Sequence, residues 1–209
     1  MRAIAPLPTT AKIRIGWDGE SVNAVRVAKI LADAGIAALT VHGRTRAQGY
    51  SGAADWNVIG EVAAGISIPV IGNGDLGSAN DVAKRRAETG IAGAMIGRAA
   101  MSAPWIFRET KAYLATGEIV DPPTLSERWK LILRHCELTV HEWGAEEPAI
   151  RSMRARLMAY SKSMPEAKRL REKFSQVSTL TEVETIAEDN LSIQFTEPAE
   201  HSKLEPMET

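Results

Sequence analysis

Over its first hundred residues the chain alternates short apolar runs with amphipathic stretches of helical period, and this alternation constrains the fold more than any other feature. Ala11-Lys12-Ile13-Arg14-Ile15 reads as a strand. Ser21 to Ala34 follows as a helix, with Val22, Val25, Ala28 (or Val27) and Leu31 near helical spacing and Gly35 as its stop. Ala38-Leu39-Thr40-Val41 is the next strand, and Trp56 to Ala64 the next helix. Ile68-Pro69-Val70-Ile71 is a third strand, with the proline near its start, where a missing donor is tolerated. Ser78 to Thr89 is a helix opened by a Ser78/Asp81 cap, and Ala94-Met95-Ile96 is a fourth strand. Strands separated by helical crossovers of this length pair in parallel, so the expected class is α/β, built of βα units.

The texture changes after Pro104. Gly117 to Pro123 is a turn-rich linker, and Thr124-Leu125-Ser126-Glu127 has the spacing of a capping box. Leu125, Trp129, Ile132, Cys136, Val140 and Trp143 then recur at three- and four-residue steps, which predicts one apolar helix face. Ile150 to Lys162 and Pro165 to Phe174 read as two further helices, and Thr179 to Glu182 caps a last short one. From Asp189 the chain is polar, acidic and unpatterned, the composition of a disordered tail. The expected organisation is an α/β region over 1–115, a helical domain over 116–188 and a tail over 189–209.

Composition narrows the function classes. A net charge of −1 across 209 residues offers no global attraction to nucleic acid, so a basic footprint must be local. No run approaches the roughly 18 apolar residues of a membrane span. MRAIAPLPTT lacks the apolar core of a secretory signal. The single cysteine, Cys136, excludes an internal disulfide framework and a CxxC metal site. No metal site is expected, and the cytoplasm is the expected compartment.

Parallel βα folds bind ligands at the carboxyl ends of their strands. Four polar clusters fall at such positions: Lys12/Arg14, His42/Arg44, Asn73/Gly74/Asp75 and Gly97/Arg98. Glycines at 74 and 97 would let backbone N–H groups approach a phosphate with no Cβ in the way. Arg98 would add a bidentate contact, Lys12 a long cation, and His42 a donor beside a flat ring. Each cluster alone is common in structural roles; their recurrence at successive strand ends points to a ligand site.

The segments KIRIGWD, AKILADAGIAALTVHGRTRAQGYSGAADW, IPVIGNGDLGSANDV and TGIAGAMIGRAAMSAPWIF together resemble the C-terminal half of the flavin barrel of the tRNA-dihydrouridine synthases, nearest the bacterial DusB-like branch. The likeness is strong over residues 11–108. It continues more weakly through PPTLSERWKLILRHCELTVHEWG and MRARLMAYSKSMP, which are similar to that family's helical domain. The resemblance implies a partial TIM (β/α) barrel of about four C-terminal βα units. It implies that Lys12 contacts the N1/O2 edge of an FMN ring and that His42 lies beside the ring. Asn73, Gly74 and Asp75 would line the loop holding the ribityl-phosphate arm, and Gly97 and Arg98 would bind the phosphate. The implied reaction is reduction of the 5,6 double bond of a tRNA uridine, with hydride from reduced FMN, a proton from a cysteine, and NADPH recharging the flavin.

The family's barrel has eight such units. Its first strand and its Asn-x-Gly-Cys-Pro loop, which carries the catalytic cysteine, would precede Met1. No catalytic residue is therefore assigned here, and a fragment or split enzyme, inactive alone, is expected, with an N-terminal half chain or self-association through open sheet edges as its partner. Cys136 lies on an apolar helix face and is no substitute. Between Arg151 and Lys173 eight basic residues stand against Glu166 and Glu172. By residues alone this is a solvated helix face. The resemblance makes it a tRNA surface, with Arg151, Arg154 and Arg156, and Arg44 at the strand ends, as contacts. Two alternatives stay open: a non-catalytic RNA-binding remnant, and half of another phosphate-binding flavin barrel.

Overall fold

The computed structural model describes residues 7–193, and these divide into two compact units at Pro122/Pro123. The first holds a four-stranded, all-parallel sheet in the order β1-β2-β3-β4, with β1 at Thr10–Arg14, β2 at Ala38–His42, β3 at Val70–Asn73 and β4 at Gly93–Met95. Helices α1 (Ala24–Asp33), α2 (Trp56–Gly65) and α3 (Ala79–Thr89) make the crossovers, and α4 (Arg98–Ser102) and α5 (Ile106–Thr116) follow the last strand. Helix α5 packs on α3, and Tyr113 of α5 donates to Asn80. The first unit therefore extends past the expected boundary at residue 115.

Strand alternation sorts the side chains onto two faces. Leu39, Val41 and Val70 turn toward the helices and share a core with Ala28, Trp56, Ile59, Val62 and Val82. Each Leu, Ile or Val among them contributes roughly 1.5–3 kcal/mol by leaving water. Gly72 lies on the same face, where a Cβ would come within 2.6 Å of the Trp56 ring. The other face carries a polar register. Lys12 lies opposite Thr40, and Thr40 opposite Ile71; two residues on, Arg14, His42, Asn73 and Met95 form one row across all four carboxyl ends.

Element ends move by a few residues from expectation for local reasons. Helix α1 begins at Ala24 because Ser21 is spent on a turn: its hydroxyl and N–H both bond Asp18, and Gly16 bridges Val22. Strand β3 begins after Pro69, which has no N–H for the ladder, and pairs on through Asn73. Ser78 caps α3 as its spacing predicts, accepting from the Asp81 N–H at 3.1 Å.

In the second unit the described residues form α6 (Leu125–Trp143), α7 (Glu146–Tyr160), a 3-10 turn at Ser161–Ser163, α8 (Ala167–Phe174) and α9 (Leu180–Ile193). Thr124 and Glu127 close the capping box of α6. Trp129, Ile132 and Cys136 meet Ile150, Leu157, Phe174 and Val183 in the core, with Trp129 edge-on to Phe174. Trp143 departs from the expected apolar face: at the helix end it is 56% exposed. Helix α7 starts before Ile150 because Pro148 fits a first turn, where its N–H is not needed. The expected tail boundary at 189 is also corrected. Helix α9 runs to Ile193, Asp189 pairs with Lys173 at 2.7 Å, and buried Asn190 accepts from the Trp129 indole at 2.9 Å. The rest of the expected tail, 194–209, lies outside the described residues.

Candidate functional site

The carboxyl ends of the strands are organised by the long loop between β2 and α2. Arg14 reaches from β1 and donates to the carbonyls of Thr45 at 2.6 Å and Gly49 at 3.1 Å. Arg44 donates to the carbonyls of Ser51 and Gly52. Two arginines thus hold the loop by its carbonyls, and Asp55 at its end caps α2 by accepting from the Asn57 and Val58 N–H groups.

Against this loop sits Asn73-Gly74-Asp75. The Asn73 amide donates to the Met95 carbonyl at 2.7 Å and ties the end of β3 to the end of β4. The Gly74 carbonyl accepts from the buried Trp56 indole at 3.1 Å. Gly74 has φ +129, and a Cβ there would lie 2.6 Å from the Ala54 Cβ and 3.2 Å from the His42 ring. The glycine is required by packing of the protein on itself. Asp75 adopts φ 51, uncommon for a residue with a Cβ. Its Oδ2 accepts from Arg44 and from the Ala54 N–H, both at 2.8 Å, and its Oδ1 accepts from Arg98 at 3.1 Å. Burial alone would raise the Asp75 pKa, but the hydrogen bonds from Arg44 and Ala54 and the charges of Arg44 and Arg98 hold it below its usual value.

Arg98 stands at the first turn of α4, just after Gly97. Its guanidinium lies 5.1 Å from the centre of the Tyr50 ring, and its side chain remains 60% exposed. A Cβ on Gly97 would have nothing within 4 Å, so the backbone there faces open space. His42 is buried, and its pKa is lowered to about 4 by burial and by the cations Arg14, Lys12 and Arg44, with Asp75 opposing. It is therefore a neutral imidazole near pH 7. Lys12, two residues before the polar row, has its pKa lowered by burial and then by Arg14.

The fold thus gathers His42, Asn73, Gly74, Asp75 and Arg98, with Lys12 two residues before the polar row on β1 and Gly97 just past the end of β4. It reassigns Arg44. With 2% exposure, Nε on the Ser51 carbonyl and NH2 on Gly52 and Asp75, Arg44 is an internal brace and offers no tRNA contact. Asp75 is exposed, and its carboxylate lies between Arg44 and Arg98. In the second unit Arg154 gives Nε to the Val177 carbonyl and NH2 to that of Gln176, so it too is a structural residue. Arg151 pairs with Glu147 on the surface, and Arg156 is exposed. Cys136 is buried, and burial with the nearby Glu137 charge pushes its thiol up to about 12. Tyr50 was not singled out by sequence; an aromatic between loop glycines was its only signal. Among the described residues no group of three or more His, Cys, Asp or Glu could hold a metal ion, and no helix is long and apolar enough to cross a membrane.

A parallel α/β sheet with polar side chains at its carboxyl strand ends defines a protein of the βα class, in which those ends are where ligands characteristically bind. The family model for dihydrouridine synthase (Dus) matches residues 1–200, and the chain belongs to that family. It is 43% identical over 161 residues to tRNA-dihydrouridine synthase B of Xanthomonas axonopodis pv. citri, covering 77% of this chain and 48% of that protein. It is 41% identical over 171 residues to tRNA-dihydrouridine synthase B of Pseudomonas aeruginosa, covering 82% and 51%. To a probable tRNA-dihydrouridine synthase of Rickettsia conorii it is 37% identical over 165 residues, covering 79% and 50%. The chain spans about half the length of the curated relatives it matches.

Proposed function

We propose that this chain is the part of a tRNA-dihydrouridine synthase that holds the phosphate arm and one ring edge of FMN, within a partial (β/α) barrel serving NADPH-linked reduction of tRNA uridine. The observation that carries the reading is Arg98: a solvent-facing guanidinium, braced by Asp75 and Tyr50, beside an open glycine backbone at the strand ends. The donor set fits the cofactor. Arg98 and the Gly97 backbone suit a phosphate, and Lys12 suits the electron-rich edge of a flavin. His42, kept neutral, offers a hydrogen bond beside the ring without adding charge. Asn73 holds β3 and β4 together and so sets the spacing between the Asp75 and Gly97 loops.

When bound, FMN supplies hydride chemistry toward the uridine 5,6 bond. This chain's residues bind and orient it; they do not include the proton donor. Cys136, in the core of the second unit with its thiol held protonated to about pH 12, is a packing residue. The second unit is the tRNA-holding part in this reading, through surface cations such as Arg151 and Arg156 and without Arg154.

Flavin fluorescence titration tests the assignment. Arg98→Ala and Lys12→Ala should each weaken FMN binding by about ten- to a hundred-fold, the loss of one charge-assisted contact worth roughly 1.5–3 kcal/mol. Unchanged affinity in both variants removes the proposed site.

A further inference from the structure

Resting on the FMN-phosphate reading above, we propose that Asp75 and Tyr50 are positioning residues that hold the Arg98 guanidinium in its anion-binding place before a ligand arrives, with buried Arg44 as the anchor. Three features carry this. First, Arg44 and Asp75 form a fixed ion pair. Arg44 is always charged, it is buried, and three of its bonds run to the Ser51 and Gly52 carbonyls and to Asp75 Oδ2. A buried cation needs a counter-charge, so Asp75 stays ionised and in place.

Second, the two Asp75 oxygens divide their work. Oδ2 is taken by Arg44 and the Ala54 N–H, while Oδ1 faces Arg98. The left-handed backbone at Asp75 aims the carboxylate both ways, and its three donors offset the strain. Because Arg44 already offsets the Asp75 charge, the tether leaves a net positive charge on the trio for an incoming anion.

Third, Arg98 is held from two sides and still presents donors. Asp75 takes only NH2, and the Tyr50 ring supports the planar group through a cation–π contact. Among the described residues the Arg98 side chain makes no other hydrogen bond or ion pair, so Nε and NH1 remain for a phosphate. An arginine ordered in advance loses less freedom on binding than a free one, and that saving appears as affinity.

The test compares FMN with riboflavin, which has the same ring and no phosphate, by fluorescence titration of the full chain. The preference for FMN over riboflavin measures the phosphate contact. Asp75→Asn and Tyr50→Leu should each lower that preference about tenfold and have no further effect in an Arg98→Ala background, and Tyr50→Leu should leave riboflavin affinity unchanged. Tyr50→Phe should retain the preference. Asp75→Asn strips Arg44 of its counter-charge, so thermal melts accompany it. If it fails to fold, exposed Tyr50 and its two variants carry the test. The inference is overturned if the effects persist undiminished without Arg98, or if neither variant alters the preference. If the unsubstituted chain shows no FMN preference, or one insensitive to Arg98→Ala, the phosphate-site reading itself fails and this inference with it.

Discussion

His42 should make the first unit lose stability as pH falls through a window where carboxylates are still ionised. Its folded pKa of about 4 lies below the ordinary 6.5, first through burial and then through Arg14, Lys12 and Arg44. Above about pH 6.5 the imidazole is neutral in folded and unfolded chains alike, and the native arrangement is undisturbed. Below that, the unfolded chain takes up a proton that the folded chain refuses until about pH 4, so protons favour unfolding. The gap between the two values corresponds to at most about 3 kcal/mol. Water reaches the rim of the site, and screening reduces this to about 1–2 kcal/mol. Urea unfolding of the unsubstituted chain and of His42→Gln, followed between about pH 6.5 and pH 4.5, isolates the effect. His135 in the second unit also has a lowered pKa, so the quantity that matters is the difference between the two proteins. The unsubstituted first unit should lose stability across the window, and His42→Gln should lose about 1–2 kcal/mol less. Equal pH slopes in the two proteins would refute the claim that the fold holds His42 neutral among cations.

Asn190→Ala should cost about 2–3 kcal/mol and roughly 10 °C in the melting of the second unit, because it leaves the buried Trp129 indole N–H without its acceptor; a loss under about 0.5 kcal/mol would mean the bond is dispensable. Gly74→Ala should destabilise the first unit by about 2 kcal/mol or more, since the new methyl meets Ala54 at 2.6 Å on a backbone at φ +129; differential scanning calorimetry reads it directly. Arg151→Gln with Arg156→Gln should flatten the salt dependence of tRNA binding by about 0.9 or less per lost phosphate contact, with little change in stability. Arg154→Gln should do the reverse, lowering the melting temperature through the lost Gln176 and Val177 carbonyl bonds.

What the sequence determined by itself was the type and order of the elements and the caps that short-range chemistry sets. The strand and helix alternation, the Ser78 cap and the Thr124/Glu127 capping box depend on residues a few positions apart, where periodicity and hydrogen-bond reach are visible along the chain. The placement of His42, Asn73 and Arg98 near strand ends follows from the same alternation. Only the tertiary structure decided what those side chains touch. Arg44 and Asp75 are 31 residues apart, and nothing local distinguishes an arginine that will be buried against a carboxylate from one that will meet a phosphate in solvent. At Gly74 the packing constraint comes from Ala54 in the loop before α2 and from His42 at the end of β2, neither of them a sequence neighbour. Arg154 looked like its neighbours Arg151 and Arg156 until α7 met the end of α8 and its guanidinium found two carbonyls. The polar stretch from Asp189 reads as tail by composition, but Lys173 and Trp129 supply partners from other helices to its first residues, and α9 runs to Ile193. In each case the deciding energy is a hydrogen bond, a charge pair or a steric contact made across the fold, and such partners are specified only once the chain has packed.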